Sequence, residues 1–278
     1  MLAHSPALPL VIDYSGDDDC ADIAAEDEEA IILALEQRDR VRRIRFKIPV
    51  LKLQKLIIAM DREYPILEYL ILLDPHTEKG TVLILPETLQ TPHLRLLFIN
   101  CSIPIRSPLL GMAAGLVNLC LALYHPSTYF EPTLLLQCLS LMPQLEILLI
   151  AFQFAVPNHD VGRQLMRKSI TTHVTLPNLR IFGFQAVSAY SEAVLSRITA
   201  PRLENFHIDY FKQLTFSVPQ LLQFMGRTGN FWFDRAKFKF DYEEVHVEVY
   251  SPETEMSMTV FSIIVVCWHL GWQVSSAA

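Results

Sequence analysis

Glycine is scarce in this chain, with 9 of 278 residues against 17 prolines. So little glycine argues against flexible linkers and glycine-rich phosphate-binding loops, and no Gly-x-Ser-x-Gly, Walker or dinucleotide-binding pattern occurs. Many prolines with little glycine indicate short elements separated by stiff turns. Nucleotide chemistry and serine-nucleophile chemistry therefore lack the backbone features that they require.

Cysteine is sparse too, and its five residues form no Cys-x-x-Cys pair. An odd number of cysteines, most of them in apolar runs such as Leu119-Cys120-Leu121, favours free buried thiols and a reducing compartment. No basic segment followed by an apolar one begins the chain, and the apolar stretch 260–268 is far shorter than the roughly 20 residues of a membrane span. We therefore expect an intracellular protein, cytoplasmic or nuclear, that does not enter a membrane.

Charged residues make up only 19% of the chain, and the net charge of −7 is unevenly placed. The first thirty residues hold nine acids and no lysine or arginine, so the rest carries 21 acids against 23 bases. The one basic cluster, residues 38–47, has no accompanying aromatic platform on which nucleic-acid bases would stack. We interpret it as a helix terminus and a solvated strand, and we expect no nucleic-acid partner.

Hydrophobic residues make up 51% of the chain, and they recur in one phrase, Pro-x-Leu-x-x-Leu-x-Ile/Leu. Five copies carry the proline, at Pro65, Pro92, Pro143, Pro177 and Pro201. Copies without it begin at Val41 and Leu116, and a poor copy ends in Phe231 and Phe233. The first apolar positions lie 26, 27, 22, 29, 34 and 24 residues apart.

That period is typical of leucine-rich repeats, which run to roughly 20–29 residues each. The intervening stretches predict helices over residues 25–38, 52–61, 133–141, 160–168, 191–198 and 219–226, mostly with one apolar face. A repeat of one strand, one turn and one helix buries its apolar side only by stacking. The predicted fold is therefore α/β: a leucine-rich-repeat solenoid with a curved parallel β-sheet and with helices and turns on its convex side.

We expect a single repeat domain over residues 1–278, irregular at both ends. Residues 1–40 hold an N-terminal strand (Leu8, Leu10 and Ile12 alternate) and a helix, the repeats cover about 41–240, and residues 241–278 form terminal strands over 244–250 and 259–267. The polar face of residues 243–248 is interpreted as the solvated side of an edge strand. Neither end shows an obvious polar capping repeat, which suggests a piece of a longer polypeptide.

Side chains alternate along a strand, so the residues between the apolar positions of each phrase are expected to point away from the core. They form a basic zone at the first strand, an apolar middle and a polar, aromatic zone near the end. An exposed apolar patch of this kind usually marks a partner surface; the alternative is that flanking loops or missing segments cover it. The predicted protein-binding residues, all on this concave face, are Arg43, Arg45, Tyr69, Phe98, Ile147, Leu149, His207, Asp209 and Trp232.

Other chemical sites are weaker hypotheses. Cys267 and His269 lack the second Cys/His pair of a zinc site. His207 and Asp209 stand two apart on one predicted strand and would form at most a small polar site, with a plain surface pair as the alternative. We predict no catalytic residue, no metal and no cofactor.

The Pro-x-Leu-x-x-Leu phrases resemble the leucine-rich-repeat region of fungal F-box-like proteins. The likeness is carried by residues 26–29 running into Arg-Val-Arg-Arg-Ile-Arg at 40–45, by Leu-Pro-Glu-Thr at 85–88 before Pro-His-Leu-Arg at 92–95, and by residues 139–146. It covers nearly the whole chain and implies a substrate-recognition subunit. In that family an N-terminal F-box binds a Skp-type adaptor of a cullin–RING ubiquitin ligase, and the repeats hold the target.

This chain departs from the family in two ways. No F-box-like three-helix segment precedes the first strand, so a Skp-type adaptor is expected only if an F-box lies outside this chain. The asparagine that usually closes each repeat is replaced by Ser102, Tyr124 and Gln153. The sequence thus predicts a non-catalytic protein-binding repeat domain, in the context of F-box-type substrate recognition; the alternative is a degenerate structural fragment of a duplicated gene, and an enzyme is the least favoured class.

Overall fold

A computed structural model describes residues 8–16, 25–75, 82–101, 108–111, 114–125, 131–152, 171–211, 219–228, 235–240 and 244–250. The predicted helix at 160–168, the poor repeat at 231–233 and the terminal strand at 259–267 lie outside these residues.

The protein is an α/β protein with a large parallel sheet, in which chain order and spatial order agree. Eight strands lie side by side and parallel, and each is hydrogen-bonded to the next member of this set along the chain. They are β1 (Leu10–Ser15), β2 (Val41–Lys47), β3 (Tyr69–Leu73), β4 (Leu96–Asn100), β5 (Asn118–Leu123), β6 (Ile147–Phe152), β8 (Ile181–Ala186) and β10 (Asn205–Phe211). Two short strands, β7 (Val174–Thr175) and β9 (Ile198–Thr199), pair in a separate parallel ribbon.

The far end of the sheet is antiparallel. Strand β12 (Glu244–Tyr250) pairs antiparallel with β10, and β11 (Arg235–Phe240) pairs antiparallel with β12. The prediction of an edge strand over 244–250 is wrong, because β12 lies between two neighbours. Its alternating pattern is that of any antiparallel strand with unlike faces, whether central or at an edge.

The described helices follow the predicted connections closely. The predicted helices at 25–38, 52–61, 133–141, 191–198 and 219–226 are confirmed with small shifts of their ends, whereas the short α3 was not predicted. The helices are α1 (Ala25–Glu36), α2 (Val50–Ala59), α3 (Pro108–Gly111), α4 (Pro132–Ser140), α5 (Ser188–Leu195) and α6 (Pro219–Arg227).

The proline of the repeated phrase forms a turn that leads into the strand. In each copy the N–H of the first leucine donates to the carbonyl of the residue before the proline, three positions earlier, at 3.1–3.3 Å. Proline suits the second position of such a turn because its ring fixes φ near −65°. The residue before each proline is buried, which anchors the turn in the core; these residues are Tyr64, Thr91, Met142, Leu176 and Ala200.

One continuous cluster of buried residues extends from Ile12 to Phe224. It contains alternate residues of the parallel strands, such as Leu70 and Leu72, together with residues from all six described helices. The described helices therefore pack on one face of the sheet. Near β8 and β10 the cluster becomes aromatic, with Phe182 in edge contact with Phe224 at 6.1 Å between ring centroids. Each large apolar side chain buried in this way stabilises the fold by about 1.5–3 kcal/mol.

Candidate functional site

The strand register aligns the outward-facing residues into straight rows across the face of the sheet opposite the described helices. Arg45 is opposite Ile71, Ile71 opposite Phe98, and the same row continues across every parallel strand as far as β10. This alignment agrees with the rows predicted from the sequence. The central row is Arg45, Ile71, Phe98, Cys120, Leu149, Gly183 and His207. The row before it is Arg43, Tyr69, Leu96, Asn118, Ile147, Ile181 and Asn205.

The first three strands of these rows carry a half-buried surface that we name the β2–β4 strip. The strip presents two cations on β2 and two large apolar side chains on each of the next two strands. None of its members is fully buried, in contrast to the core positions between them. The members are Arg43, Arg45, Tyr69, Ile71, Leu96 and Phe98.

Beyond β4 the same face is closed, and the expectation that Leu149 is an exposed contact residue is wrong. Leu149 is 2% exposed and lies in a small second core with Cys120 and Ile181, against which Phe98 and Ile147 pack. Row neighbours cover each other here, because Leu149 extends over Gly183: a Cβ at position 183 would stand 2.5 Å from Leu149 Cδ2. Ile147 remains half-buried.

His207 and Asp209 lie on the same side of β10, as predicted, and His207 Nε2 is 3.0 Å from Asp209 Oδ2. Both are buried, at 6% and 5% exposure, so the expectation of a surface contact at these two residues is also wrong. Gln185, the register neighbour of Asp209 on β8, is buried as well. A polar pair removed from water requires hydrogen bonds, and the contact between His207 Nε2 and Asp209 Oδ2 supplies one of them. Trp232 lies outside the described residues.

The basic zone of β2 divides into paired and less paired cations. Arg42 donates to Glu68 at 3.0 Å, and the carboxylate raises the pKa of Arg42 above its already high value. Arg45 Nη1 stands 3.6 Å from Asp13 Oδ2, with both side chains about 40% exposed (39% and 42%). For Arg43 the structure shows no carboxylate partner among the residues it describes, and its Nε is buried without a hydrogen bond.

A charged rim that sequence reasoning missed borders the amino ends of the strands. The residue just before each outer row alternates in charge from strand to strand, with an interruption at Val117, and Arg180 donates to Glu204 through two bonds of 2.8 Å. The backbone carbonyls of the same positions each accept N–H bonds from the next strand: Arg180 O accepts from residues 204 and 205. Aligning the phrases and reading the sign of this one column would have revealed the rim.

A second unpredicted group stands at the carboxyl ends of β3–β5, where open parallel sheets often bind ligands. Tyr124 donates to Asn100 at 2.5 Å, and Asp74 and Cys101 are both buried close by. Burial, reinforced by the charge of Asp74, raises the pKa of the Cys101 thiol far above its usual range. A thiol that stays protonated is a poor nucleophile, so Cys101 is poorly suited to nucleophilic chemistry.

Within the described ranges no set of three or more His, Cys, Asp or Glu side chains is placed to hold a metal ion. Cys267 and His269 fall outside those ranges. In the same part of the chain no helix is both long and apolar enough to cross a membrane. Comparison with known proteins finds no match to a family model, to a curated protein or to a solved structure.

Proposed function

We propose that the chain is a non-catalytic, protein-binding repeat domain with the architecture of a leucine-rich-repeat solenoid. The parallel strands follow one another in chain order, and the described helices all pack on the same face of the sheet. One observation supports this function: three adjacent strands present partly exposed Arg, Tyr, Leu, Ile and Phe side chains in register on the sheet face opposite the described helices.

The composition of the β2–β4 strip supports a protein partner over a small molecule. Aromatic residues and arginine are enriched at protein–protein interfaces, where a few of them account for most of the binding energy. Tyr69 and Phe98 are the aromatic members of the strip, and Arg43 and Arg45 border them. A row of side chains across adjacent strands spaced about 4.8 Å apart matches an extended protein surface better than an enclosed ligand pocket.

The cellular context we propose is target recognition in an F-box-type ubiquitin ligase. This part of the proposal is supported by the sequence resemblance alone. It predicts that the full gene product co-purifies with a Skp-type adaptor through a segment outside this chain. Failure of that co-purification would leave the binding domain without its ligase context.

Site-directed photocrosslinking tests the binding function. A photoreactive phenylalanine analogue at position 69 or 98 is expected to capture a protein, which is then purified and titrated. The same analogue at Leu51, which is 64% exposed on α2, is the matched control. It is not expected to capture the protein that positions 69 and 98 capture.

The titration gives the quantitative result. The double variant Tyr69→Ala and Phe98→Ala is expected to weaken binding of the captured protein at least about tenfold, in line with aromatic interface residues elsewhere. Leu51→Ala is expected to leave the affinity unchanged, and the thermal midpoint of each variant reports folding. Equal affinities for the strip variant and the Leu51 variant would refute the proposal.

A further inference from the structure

We infer that the β2–β4 strip recognises a short acidic–apolar segment of another protein, with a carboxylate over Arg43 and Arg45 and large apolar side chains over β3 and β4. This inference rests on the proposed function and specifies the chemistry of its partner.

Arg43 is the first reason to expect an acid. Its guanidinium has a buried Nε without a hydrogen-bond partner, and no described carboxylate pairs with it. An approaching carboxylate cannot reach this buried nitrogen, but the partly buried cation is less hydrated than an exposed one, and a carboxylate can form charge-assisted bonds with the rest of its planar guanidinium. A partner's Asp or Glu therefore gains more at Arg43 than at a fully hydrated cation.

Arg45 is the second reason. It lies two residues along the same strand, so its side chain leaves the same face about 6.5–7 Å from that of Arg43. Its pairing with Asp13 at 3.6 Å joins two well-exposed side chains, and such pairs contribute about 0–1 kcal/mol. A partner's carboxylate can replace Asp13 at little cost, whereas Arg42 is already held by Glu68 at 3.0 Å.

The neighbouring strands determine the apolar part of the segment. Tyr69 and Ile71 stand one strand spacing from the arginines, and Leu96 and Phe98 stand two spacings away. These spacings are about 5 and 10 Å, the distance covered by one to two helical turns or by two to three extended residues. The acid and the apolar side chains of the partner are therefore close in its sequence.

A nucleic acid fits this surface less well. The strip has two cations beside four large, mainly apolar residues, which offers few contacts to the phosphates of a polyanion.

A peptide array provides the test. Its members carry an Asp or Glu pair and a Leu or Phe pair at spacings of two to five residues. Matched members have Lys for the acids or Ser for the apolar residues. The intact protein is expected to select the acidic–apolar members, and fluorescence anisotropy is expected to show at least about tenfold weaker binding of both matched sets.

Variants of the protein link this selection to the strip. Arg43→Gln is expected to weaken binding of the selected peptides about tenfold, and Arg43→Lys to give an intermediate affinity because it retains the charge and loses the planar fork. Arg202→Gln, at an exposed arginine before β10, is the matched control and is expected to bind normally. Thermal unfolding confirms that each variant is folded.

The outcomes separate the two proposals. Selection of basic or charge-independent peptides, or Arg43-dependent binding of a single-stranded oligonucleotide instead, overturns the inference. Absence of any selected peptide, together with photocrosslinking through Tyr69 or Phe98 to a protein that lacks an acidic–apolar segment, overturns the inference and leaves the proposed function standing. Absence of both selection and crosslinking overturns the two together.

Discussion

Gly183 leaves space for the side chain of Leu149. Replacing Gly183 with alanine should therefore test how tightly the closed half of the sheet face is packed. The added Cβ would stand 2.5 Å from Leu149 Cδ2, well inside van der Waals contact. Leu149 is 2% exposed, so its side chain has little room to move away. Overpacking of this kind costs about 1–3 kcal/mol. Alanine also restricts the unfolded chain more than glycine does, which offsets this cost by about 0.4–1 kcal/mol.

The expected result is a net loss of up to about 2.6 kcal/mol in the free energy of unfolding for Gly183→Ala, the difference between those two effects. In a Leu149→Ala background the obstructing atoms are gone, so the same replacement should stabilise by about 0.4–1 kcal/mol. Leu149→Ala alone is expected to cost about 2–5 kcal/mol. Urea unfolding of the two single variants and the double variant measures the coupling between the two positions.

A matched control is available at Gly226, near the end of α6, where an added Cβ meets nothing within 4 Å. Gly226→Ala should stabilise by up to about 1 kcal/mol and show no coupling to Leu149→Ala. If Gly183→Ala and Leu149→Ala combine additively within about 0.5 kcal/mol, the contact between these two positions is not as described.

Two further predictions concern the core and the rim. Tyr64→Phe removes a buried hydrogen bond of 3.1 Å to the carbonyl of Leu35, so the free energy of unfolding measured in urea should fall by about 1 kcal/mol. An unchanged free energy of unfolding would contradict this prediction. Burial raises the pKa of Tyr64 from 10.0 to about 12, so the unfolded chain ionises first and stability falls as pH rises through that window; Tyr64→Phe should make the fall shallower. Arg180→Glu should lower the free energy of unfolding by about 1 kcal/mol or less, because the ion pair between Arg180 and Glu204 is exposed. Adding Glu204→Arg should restore the stability. A larger loss, or one that the second change does not restore, would argue against the pair.

The parallel sheet was predictable because the repeated phrase fixes both the strand and its register. Each proline turn places the first leucine at the strand entrance, and the two following apolar residues enter the core. Aligning the phrases therefore aligned Arg45 with Ile71 and Phe98. The antiparallel end was not predictable, since the alternation in 244–250 gives two faces and does not identify a neighbouring strand.

The closure of the sheet face beyond β4 was not predictable either. In the sequence Leu149 and Cys120 occupy the same place in the phrase as Ile71 and Phe98, yet only the first two are buried. Periodicity shows which side of a strand faces the helices. It does not show what packs against the other side, because that depends on contacts between residues far apart in the chain.

The outward-facing side of the sheet is thus divided into a buried part around Leu149 and the partly buried β2–β4 strip. The fold draws its stability from the helix side, where every parallel strand buries alternate residues, and from the proline turns and carbonyl ladder at the strand entrances. The second core around Leu149 adds to that stability at the middle of the sheet. Of the β2–β4 strip only Phe98 packs against one of the two cores, and the other large side chains of the strip lie outside both. The proposed binding of another protein therefore rests on partly exposed apolar side chains such as Tyr69 and Leu96, which lie outside both clusters of buried residues.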